Sequence, residues 1–255
     1  MISDMAFSFL GTGSVKAAPV YGCDCIACQR ALSNQTYRRQ AACGVLEVNG
    51  VRFLIDAGYL GLEEKFPPGS LDAVLLTHFH MDHVQGLFPI RWGMGESIPV
   101  FSPDDPHGCD DLFKYPGIFD FSKKSLPFEP FHFKGIKITP VPLVHSKLTM
   151  GYIVEFNGKR LAYLCDSGVL RRDVEVLLKE HPLDLLILDC DQPPQEKAPR
   201  NHNDLTRALD VYKSIQPKQL LLTHISHHLD EYFITHPDCL PDGVAIGLDS
   251  QTWTI

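Results

Sequence analysis

The chain has 255 residues, 44% of them apolar, and a formal net charge of −8. That length and apolar content suffice for one large hydrophobic core, whereas the acidic balance argues against a general nucleic-acid or membrane-surface binder. No apolar run reaches the roughly 18 residues of a membrane span. Because Met1 to Asp4 lack the basic start of a signal peptide, we expect a cytoplasmic protein.

The first motif is a cluster of three cysteines, Cys23, Cys25 and Cys28, which follows a predicted strand at Phe7 to Leu10. The spacing C-x-C-x-x-C supplies three thiolates from one short loop, and structural zinc normally takes a fourth nitrogen or sulfur ligand from elsewhere. Without a secretion signal, a disulfide framework is not expected. A redox pair at Cys25 and Cys28, or simply buried thiols, are the alternatives, although no thioredoxin-like pattern surrounds the pair.

A β-hairpin is predicted next, with strands at residues 43–48 and 51–56 and Asn49-Gly50 at the turn. Asp56 ends the second strand. Its carboxylate could accept a hydrogen bond from a metal-binding histidine, or it could cap the following helix, and the sequence leaves both possibilities open.

The densest group of polar side chains is the motif T-H-F-H-M-D-H, residues 77–83, which follows an apolar run from Leu71. In an extended segment His78 and His80 share a face and can hold one ion together. Asp82 and His83 then lie at a turn and helix start, directed at a second position nearby. Imidazole and carboxylate ligands suit Zn or Mn. The alternative is a chance run in a chain with 12 histidines.

The region after this motif has a weaker pattern. Residues 83–92 are predicted to be partly helical, with Pro89 interrupting the helix. Residues 95–135 are rich in Pro, Gly, Asp and Phe, with one clear strand at residues 99–101. We interpret 95–135 as a loop-rich insertion that lines or covers a site, within a single domain of residues 1–255.

A regular alternation of strands and helices then resumes. A second hairpin surrounds Asn157-Gly158, and a helix at residues 204–215 is predicted to be capped by Asn201 or Asn203. The remaining predicted elements are a strand at 136–139, a helix at 169–180, and strands at 183–188, 219–223, 243–248 and 252–255.

Four further polar residues follow apolar strands, namely His145, Asp166, Asp189 and His224. Strands that end on one side of a sandwich would bring these side chains together with the motif at 78–83, so we expect one metal site. The two halves of the chain share a plan of hairpin followed by strand–helix pairs. The expected fold is therefore an α/β four-layer αββα sandwich.

The segments T-H-F-H-M-D-H, V-H-S, L-C-D-S-G and T-H-I-S-H resemble the metallo-β-lactamase superfamily over nearly the whole chain. The resemblance implies a first metal position, a second one, and an aspartate bridging them. The implied ligands are His78, His80 and His145 for the first, Asp82, His83 and His224 for the second, and Asp166 as the bridge. A bridging aspartate suits the phosphodiester and thioester hydrolases of the superfamily better than its β-lactamases.

Further segments, among them G-C-D-C-I-A-C, G-L-F-P-I-R-W-G, H-S-K-L-T and A-P-R-N-H-N-D-L, are similar to a phosphonate-pathway phosphodiesterase branch of the superfamily. This resemblance implies a homodimeric hydrolase with two Mn²⁺ ions, or Zn²⁺ or another divalent ion in their place. It also implies a structural Zn²⁺ held by Cys23, Cys25, Cys28 and His227.

The same resemblance implies a small cyclic sugar phosphate as substrate, 5-phospho-α-D-ribosyl 1,2-cyclic phosphate, which is opened to ribose 1,5-bisphosphate. We expect His202 and Asp82 to be the catalytic residues, with His202 as proton donor to the leaving group, and Arg200 to bind a substrate phosphate. No nucleic-acid or membrane partner is expected.

Three other functions compete with this interpretation. A tRNA 3′-processing nuclease uses the same metal ligands and resembles this chain in the motif, but the extended basic arm that such enzymes carry is not found here, and the net charge is acidic. A thioesterase of the glyoxalase II type would not explain the cysteine cluster. A metal-storing or scaffold protein with a vestigial site would not need every ligand type to be present.

Overall fold

The computed structural model describes residues 5–255, so the Met1–Asp4 segment used in the signal-peptide argument lies outside the described residues. Two β-sheets pack face to face and helices cover their outer faces. The predicted αββα sandwich is confirmed.

The first sheet has eight strands. They are β1 (Met5–Gly11), β2 (Cys43–Val48), β3 (Val51–Ile55), β4 (Ala73–Leu75), β5 (Ile98–Pro103), β6 (Phe119–Asp120), β7 (Lys124–Ser125) and, from the C-terminal end, β15 (Thr252–Thr254). Their order is β15-β1-β2-β3-β4-β5-β6, and β7 pairs with β5. The strands β3, β4 and β5 run parallel to one another.

The second sheet has seven strands. They are β8 (Phe131–Phe133), β9 (Ile136–Leu143), β10 (Thr149–Phe156), β11 (Lys159–Leu164), β12 (Leu185–Asp189), β13 (Gln219–Thr223) and β14 (Val244–Ile246). Their order runs from β14 down to β8. The strands β11, β12, β13 and β14 are parallel.

Eight short helices complete the fold of the described residues. They are α1 (Ile26–Ser33), α2 (Leu62–Lys65), α3 (Met81–Val84), α4 (Leu87–Ile90), α5 (Asp110–Lys114), α6 (Arg172–Lys179), α7 (Leu205–Ile215) and α8 (His227–Thr235), with a 3-10 turn at Gln35–Tyr37. Among residues 5–255, no helix is long and apolar enough to cross a membrane.

The main core fills the space between the two sheets. Strand β1 alternates buried and half-buried residues along its length, as expected for a strand with one face on the core. Phe7 of β1 meets Tyr163 of β11 across the interface, with ring centroids 6.0 Å apart. At one edge the sheets are also joined by hydrogen bonds, because Tyr152 Oη donates to Leu76 O (2.7 Å) and Met150 N donates to Thr77 O (2.9 Å).

This edge is where the polar strand ends meet. Asp56 follows β3, His78 lies three residues after β4, Asp166 follows β11 by two residues, and His224 directly follows β13. Since parallel neighbours end on the same side of a sheet, the carboxyl ends of both parallel groups come together there.

Two local predictions near helix ends are wrong. Pro89 does not interrupt a helix but is the third residue of α4, within the first turn, where a backbone N–H would have no intrahelical partner. Helix α7 is capped by Asp204, whose carboxylate accepts from Arg207 N (2.9 Å), and Asn203 instead donates its side-chain amide to Ser167 O (2.8 Å).

Residues 95–135 also carry more structure than expected. The expectation of a single strand there is wrong, since β5 to β8 and α5 all fall in this range. Strand β5 belongs to the first sheet and β8 to the second. Strands of two or three residues are too short to show a periodic pattern in sequence.

A buried ion pair ties the N-terminal segment to α8. The Arg39 guanidinium donates to both carboxylate oxygens of Asp230, at 2.7 and 2.8 Å, and its remaining amino group donates to Thr12 Oγ1 and Gly247 O, both at 2.7 Å. Both side chains are almost fully buried. This bidentate pair fixes α8, and with it His227, against the segment that follows the cysteine cluster.

Candidate metal centre

The first cluster of potential ligand atoms consists of His78 Nε2, His80 Nδ1, His145 Nε2 and Asp166 Oδ2. His80 Nδ1 lies 2.8 Å from His78 Nε2 and 3.1 Å from His145 Nε2. Asp166 Oδ2 lies 3.2 Å from His78 Nε2 and 3.3 Å from His145 Nε2. Four ligand atoms thus converge on one point.

The second cluster consists of Asp82, His83 and His224. Asp82 Oδ2 lies 3.6 Å from the Nε2 atoms of both histidines. The Asp166 carboxylate reaches this cluster as well, with Oδ1 3.0 Å from His224 Nε2 and Oδ2 3.4 Å from His83 Nε2. Asp166 therefore lies between the two clusters and contacts both.

The spacing of these atoms fits divalent ions. An ion with bonds of about 2.1 Å in tetrahedral or octahedral geometry holds neighbouring ligand atoms about 3.0–3.4 Å apart. The distances above lie close to that range. In addition, His83 Nε2 and His224 Nε2 are buried nitrogen atoms that make no hydrogen bond within residues 5–255. A bound cation would accept their lone pairs and so satisfy both atoms.

Neighbouring groups orient three of the ligand imidazoles. Asp56 Oδ2 lies 2.8 Å from His83 Nδ1, Thr77 Oγ1 lies 3.0 Å from His78 Nδ1, and Asn201 O lies 3.0 Å from His145 Nδ1. Each acceptor holds the proton on Nδ1 and leaves the Nε2 lone pair facing the cluster. Of the two roles left open for Asp56, the structure therefore supports orientation of a histidine.

Asp56 is itself held by Thr77, whose backbone N and Oγ1 both donate to its carboxylate at 2.8 and 2.9 Å. Asp56, Asp166 and His224 all adopt left-handed backbone conformations, with φ of 55°, 58° and 59°. Such conformations cost about 1–3 kcal/mol each and persist where the surrounding structure enforces them. Three of them at one sheet edge indicate that the backbone bends to direct these side chains inward.

The charges of the two clusters depend on one another. Burial lowers the pKa of His78 to about 3, so this imidazole stays neutral, as a metal ligand must be. Burial alone would also lower the pKa of His224, but Asp166 and Asp82 raise it to about 9. Burial alone would raise the pKa of Asp166, but His224 and His83 hold it well below the usual range. Asp166 is therefore a carboxylate.

His202 lies beside the second cluster. Its ring stacks on that of His224 with centroids 4.8 Å apart, and its Nδ1 is 2.9 Å from Asp189 Oδ2. Burial lowers the pKa of His202, but the adjacent Asp189 carboxylate outweighs this and raises it. Asp189, expected only as one of the strand-end ligands, therefore orients His202. Arg200 is exposed in the same loop, two residues before His202.

A separate cluster joins the three cysteines of the N-terminal loop to α8. The Sγ atoms of Cys23, Cys25 and Cys28 lie 3.4, 3.4 and 3.6 Å from His227 Nδ1. A tetrahedral zinc ion with Zn–S bonds of about 2.3 Å and a Zn–N bond of about 2.0–2.1 Å would put sulfur and nitrogen about 3.5 Å apart. The four residues expected to bind structural zinc are therefore brought together at the spacing that this ion requires.

The structure also identifies residues that sequence reasoning missed. Thr77 holds Asp56 and His78, and the Asn201 carbonyl orients His145. Thr77 immediately precedes His78, so its role could have been predicted from its position in the sequence. The role of the Asn201 carbonyl could not, because every residue carries a backbone carbonyl.

Comparison with known proteins identifies the class of this protein. The family described as the Beta-lactamase superfamily domain matches residues 51–225. This range is more than half of the chain and contains every residue of the two clusters above. The chain therefore belongs to this family and, with it, to the metallo-β-lactamase superfamily.

Three individual proteins illustrate what this chain is similar to. A solved structure described as a new diphosphatase from the PhnP family is 25% identical, with a TM-score of 0.82 and 98% of each chain covered. A protein named Octanoyltransferase from Porphyromonas gingivalis is 27% identical over 94% of this chain, which spans about half (49%) of that relative's length. A Ribonuclease Z from Pyrobaculum aerophilum is 25% identical over 69% of this chain and 77% of its own.

Replacing Asp166 is expected to disturb both clusters, whereas replacing His80 disturbs only the first. Asp166→Ala should lower kcat/KM on a chromogenic phosphodiester by roughly 10³-fold, against ~10²-fold for His80→Ala, because only Asp166 contacts both clusters. Metal content after dialysis, measured by mass spectrometry, should fall further in Asp166→Ala. The exposed Asp173→Ala serves as control. Near wild-type turnover and metal content in Asp166→Ala would contradict the bridging role.

Replacing one thiolate of the cysteine cluster is expected to affect stability more than activity. Cys25→Ser should remove about one equivalent of zinc and lower the melting temperature, because a closed site contributes folding free energy and no open coordination position. Cys239→Ser, a half-exposed cysteine outside the cluster, should change neither value. An unchanged melting curve and zinc content in Cys25→Ser would count against this site.

Proposed function

We propose that this protein is a dinuclear metal-dependent phosphodiesterase. Its proposed substrate is 5-phospho-α-D-ribosyl 1,2-cyclic phosphate, opened to ribose 1,5-bisphosphate in phosphonate catabolism, as in the enzyme PhnP. The observation that carries the proposal is the Asp166 carboxylate between two clusters of ligands, with the His202–Asp189 pair beside them.

The charge of the clusters supports an anionic substrate. Two divalent ions against the carboxylates of Asp82 and Asp166 leave a net charge of about +2, which suits a phosphodiester. When bound, two Mn²⁺ ions, or Zn²⁺ in their place, would stabilise charge on the phosphate oxygens and activate water. Despite its burial, Asp82 stays ionised, because His224 and His83 lower its pKa. We propose Asp82 as both a ligand and a catalytic residue.

His202 is the proposed proton donor. Opening a phosphodiester expels an alkoxide, which is a poor leaving group at neutral pH. With Nδ1 donating to Asp189, the imidazolium form of His202 still carries a proton on Nε2 that it can give to the leaving oxygen. The raised pKa favours that form. Arg200, exposed two residues earlier, is proposed to bind a phosphate of the substrate.

The structural relatives support this substrate class without specifying it. The name of the PhnP-family diphosphatase indicates phosphate ester or anhydride chemistry in a chain of the same fold and length. The ribonuclease Z relatives favour tRNA 3′-processing as the second candidate. The net charge of −8 makes a large RNA a poor partner for this chain.

A panel of substrates distinguishes these functions. The metal-loaded protein should hydrolyse the ribosyl cyclic phosphate with kcat/KM at least roughly 10²-fold above that for a tRNA precursor, a pyrophosphate or a glutathione thioester. Faster cleavage of the tRNA precursor would replace the proposed function with the nuclease. Turnover of the thioester alone would make the protein a thioesterase.

The role of His202 is tested by comparing leaving groups. His202→Ala should slow diesters with alkoxide leaving groups by ~10²–10⁴-fold but barely slow those that release nitrophenolate, which needs no protonation. His107→Ala, an exposed histidine in the 95–135 segment, should slow neither. Equal losses on both substrate types would make His202 a binding or structural residue instead.

The proposal also includes a homodimer in the cytoplasm and no nucleic-acid or membrane partner. Light scattering on the purified, metal-loaded protein tests the dimer directly, since a mass near 28.6 kDa would instead indicate a monomer.

A further inference from the structure

Lys147 lies next to the first cluster and has no role in the metal chemistry described above. It belongs to the loop between β9 and β10, two residues after His145, and its side chain is half-buried. Its Nζ donates to Gly108 O at a long 3.4 Å. This weak bond leaves two of the three ammonium protons free for another acceptor.

Among residues 5–255, no carboxylate lies within 4.0 Å of the Lys147 ammonium group, whereas six other lysines each lie within that distance of one. Those six are Lys124, Lys134, Lys137, Lys179, Lys213 and Lys218. The ammonium group is therefore available to an anion that enters from solvent.

The loop that carries Lys147 is held in place. Ser146 Oγ lies 3.5 Å from His80 Nε2, Thr149 Oγ1 donates to Lys147 O at 3.0 Å, and Gly168 N donates to Val144 O at 2.8 Å. These contacts fix the loop over His80 and against the segment that follows Asp166.

Gly108, whose carbonyl accepts the weak hydrogen bond from Lys147, is itself closely packed. A Cβ at Gly108 would come within 2.6 Å of the Phe79 ring and 2.9 Å of the Phe113 ring, so the backbone here is packed directly on Phe79. Phe79 lies between the ligands His78 and His80 in sequence, and its side chain packs in a hydrophobic cluster with Leu76 and Leu112. The bond to Gly108 therefore ties Lys147 to the segment that carries His78 and His80.

We propose that Lys147 is a specificity-determining residue that binds a phosphate monoester of the substrate while the metal clusters engage the phosphodiester. The proposal rests on the proposed function and extends it to substrates that carry two phosphates. The positive charge of the metal centre is directed at the reacting phosphate, so a second phosphate needs a further cation, which Lys147 would supply together with the Arg200 proposed above. A lysine ammonium is a compact point charge suited to this purpose.

The test measures binding instead of turnover. Titration calorimetry on the manganese-loaded protein gives the affinities for ribose 1,5-bisphosphate and for ribose 1-phosphate, which lacks the second phosphate. The wild type should bind the bisphosphate more tightly by roughly 10- to 100-fold, as expected for a hydrogen-bonded charge pair. Lys147→Met should lose most of this advantage and leave ribose 1-phosphate affinity unchanged. Lys147→Arg should keep most of it, and the exposed Lys123→Met should keep all of it.

The possible outcomes distinguish a failure of the Lys147 proposal from a failure of the proposed phosphodiesterase function. An equal preference in wild type and Lys147→Met, or no preference in wild type, would overturn it. Equal losses for both ligands in Lys147→Met would mean that Lys147 supports the metal centre instead. If the bisphosphate preference depends on Lys147 but the ribosyl cyclic phosphate is not hydrolysed, the phosphate site stands and the proposed substrate fails.

Discussion

The concentration of buried carboxylates at one edge of the sandwich is the constraint on which the rest of the structure depends. Asp56, Asp82, Asp166 and Asp189 are all buried there. Burying an ionised carboxylate costs several kcal/mol unless it is paired and hydrogen-bonded, and like charges at this distance add to the cost. The neighbouring histidines offset part of this negative charge. Their ring nitrogen atoms lie at the spacing expected for ligands of divalent ions. A divalent ion in each cluster would offset the remaining negative charge.

The β-sandwich makes that concentration possible. Parallel strands end on one side of each sheet, and hydrogen bonds from Met150 and Tyr152 join the two sheets at that side. The left-handed backbone at Asp56, Asp166 and His224 then turns the side chains toward each other. Only two residues, Ile225 and Ser226, separate His224 from His227, so one segment contributes to both the metal centre and the cysteine cluster. The Arg39–Asp230 pair holds the helix that begins at His227.

Much of this arrangement could be predicted from the sequence, because the informative residues are adjacent or follow recognisable strands. The pairs His78 and His80, Asp82 and His83, and the cysteine cluster all lie within a few residues of one another. The sandwich followed from two hairpins with Asn-Gly turns and from the alternation of strands and helices. The strand-end positions of Asp166 and His224 added the remaining ligands.

What could not be predicted depends on contacts between distant parts of the chain. Asp189 looked like a ligand because it ends a strand, and only the fold shows that it contacts His202. The role of Arg39 has no local signal in the sequence, because its partner Asp230 is 191 residues away. Pro89 and Asp204 were misjudged because a helix terminus depends on backbone geometry over one or two residues. The short strands in residues 95–135 are set by pairing with β5 and β9, which leaves no periodic pattern in sequence.

The central claim is that two ions share the Asp166 carboxylate. Anomalous X-ray scattering from crystals of the metal-loaded protein, recorded at the manganese and zinc absorption edges, tests it most directly. The account predicts two peaks about 3.5–4 Å apart on either side of Asp166, and a separate zinc peak among Cys23, Cys25, Cys28 and His227. A single peak within the histidine clusters, with Asp166 bound to one ion only, would contradict it.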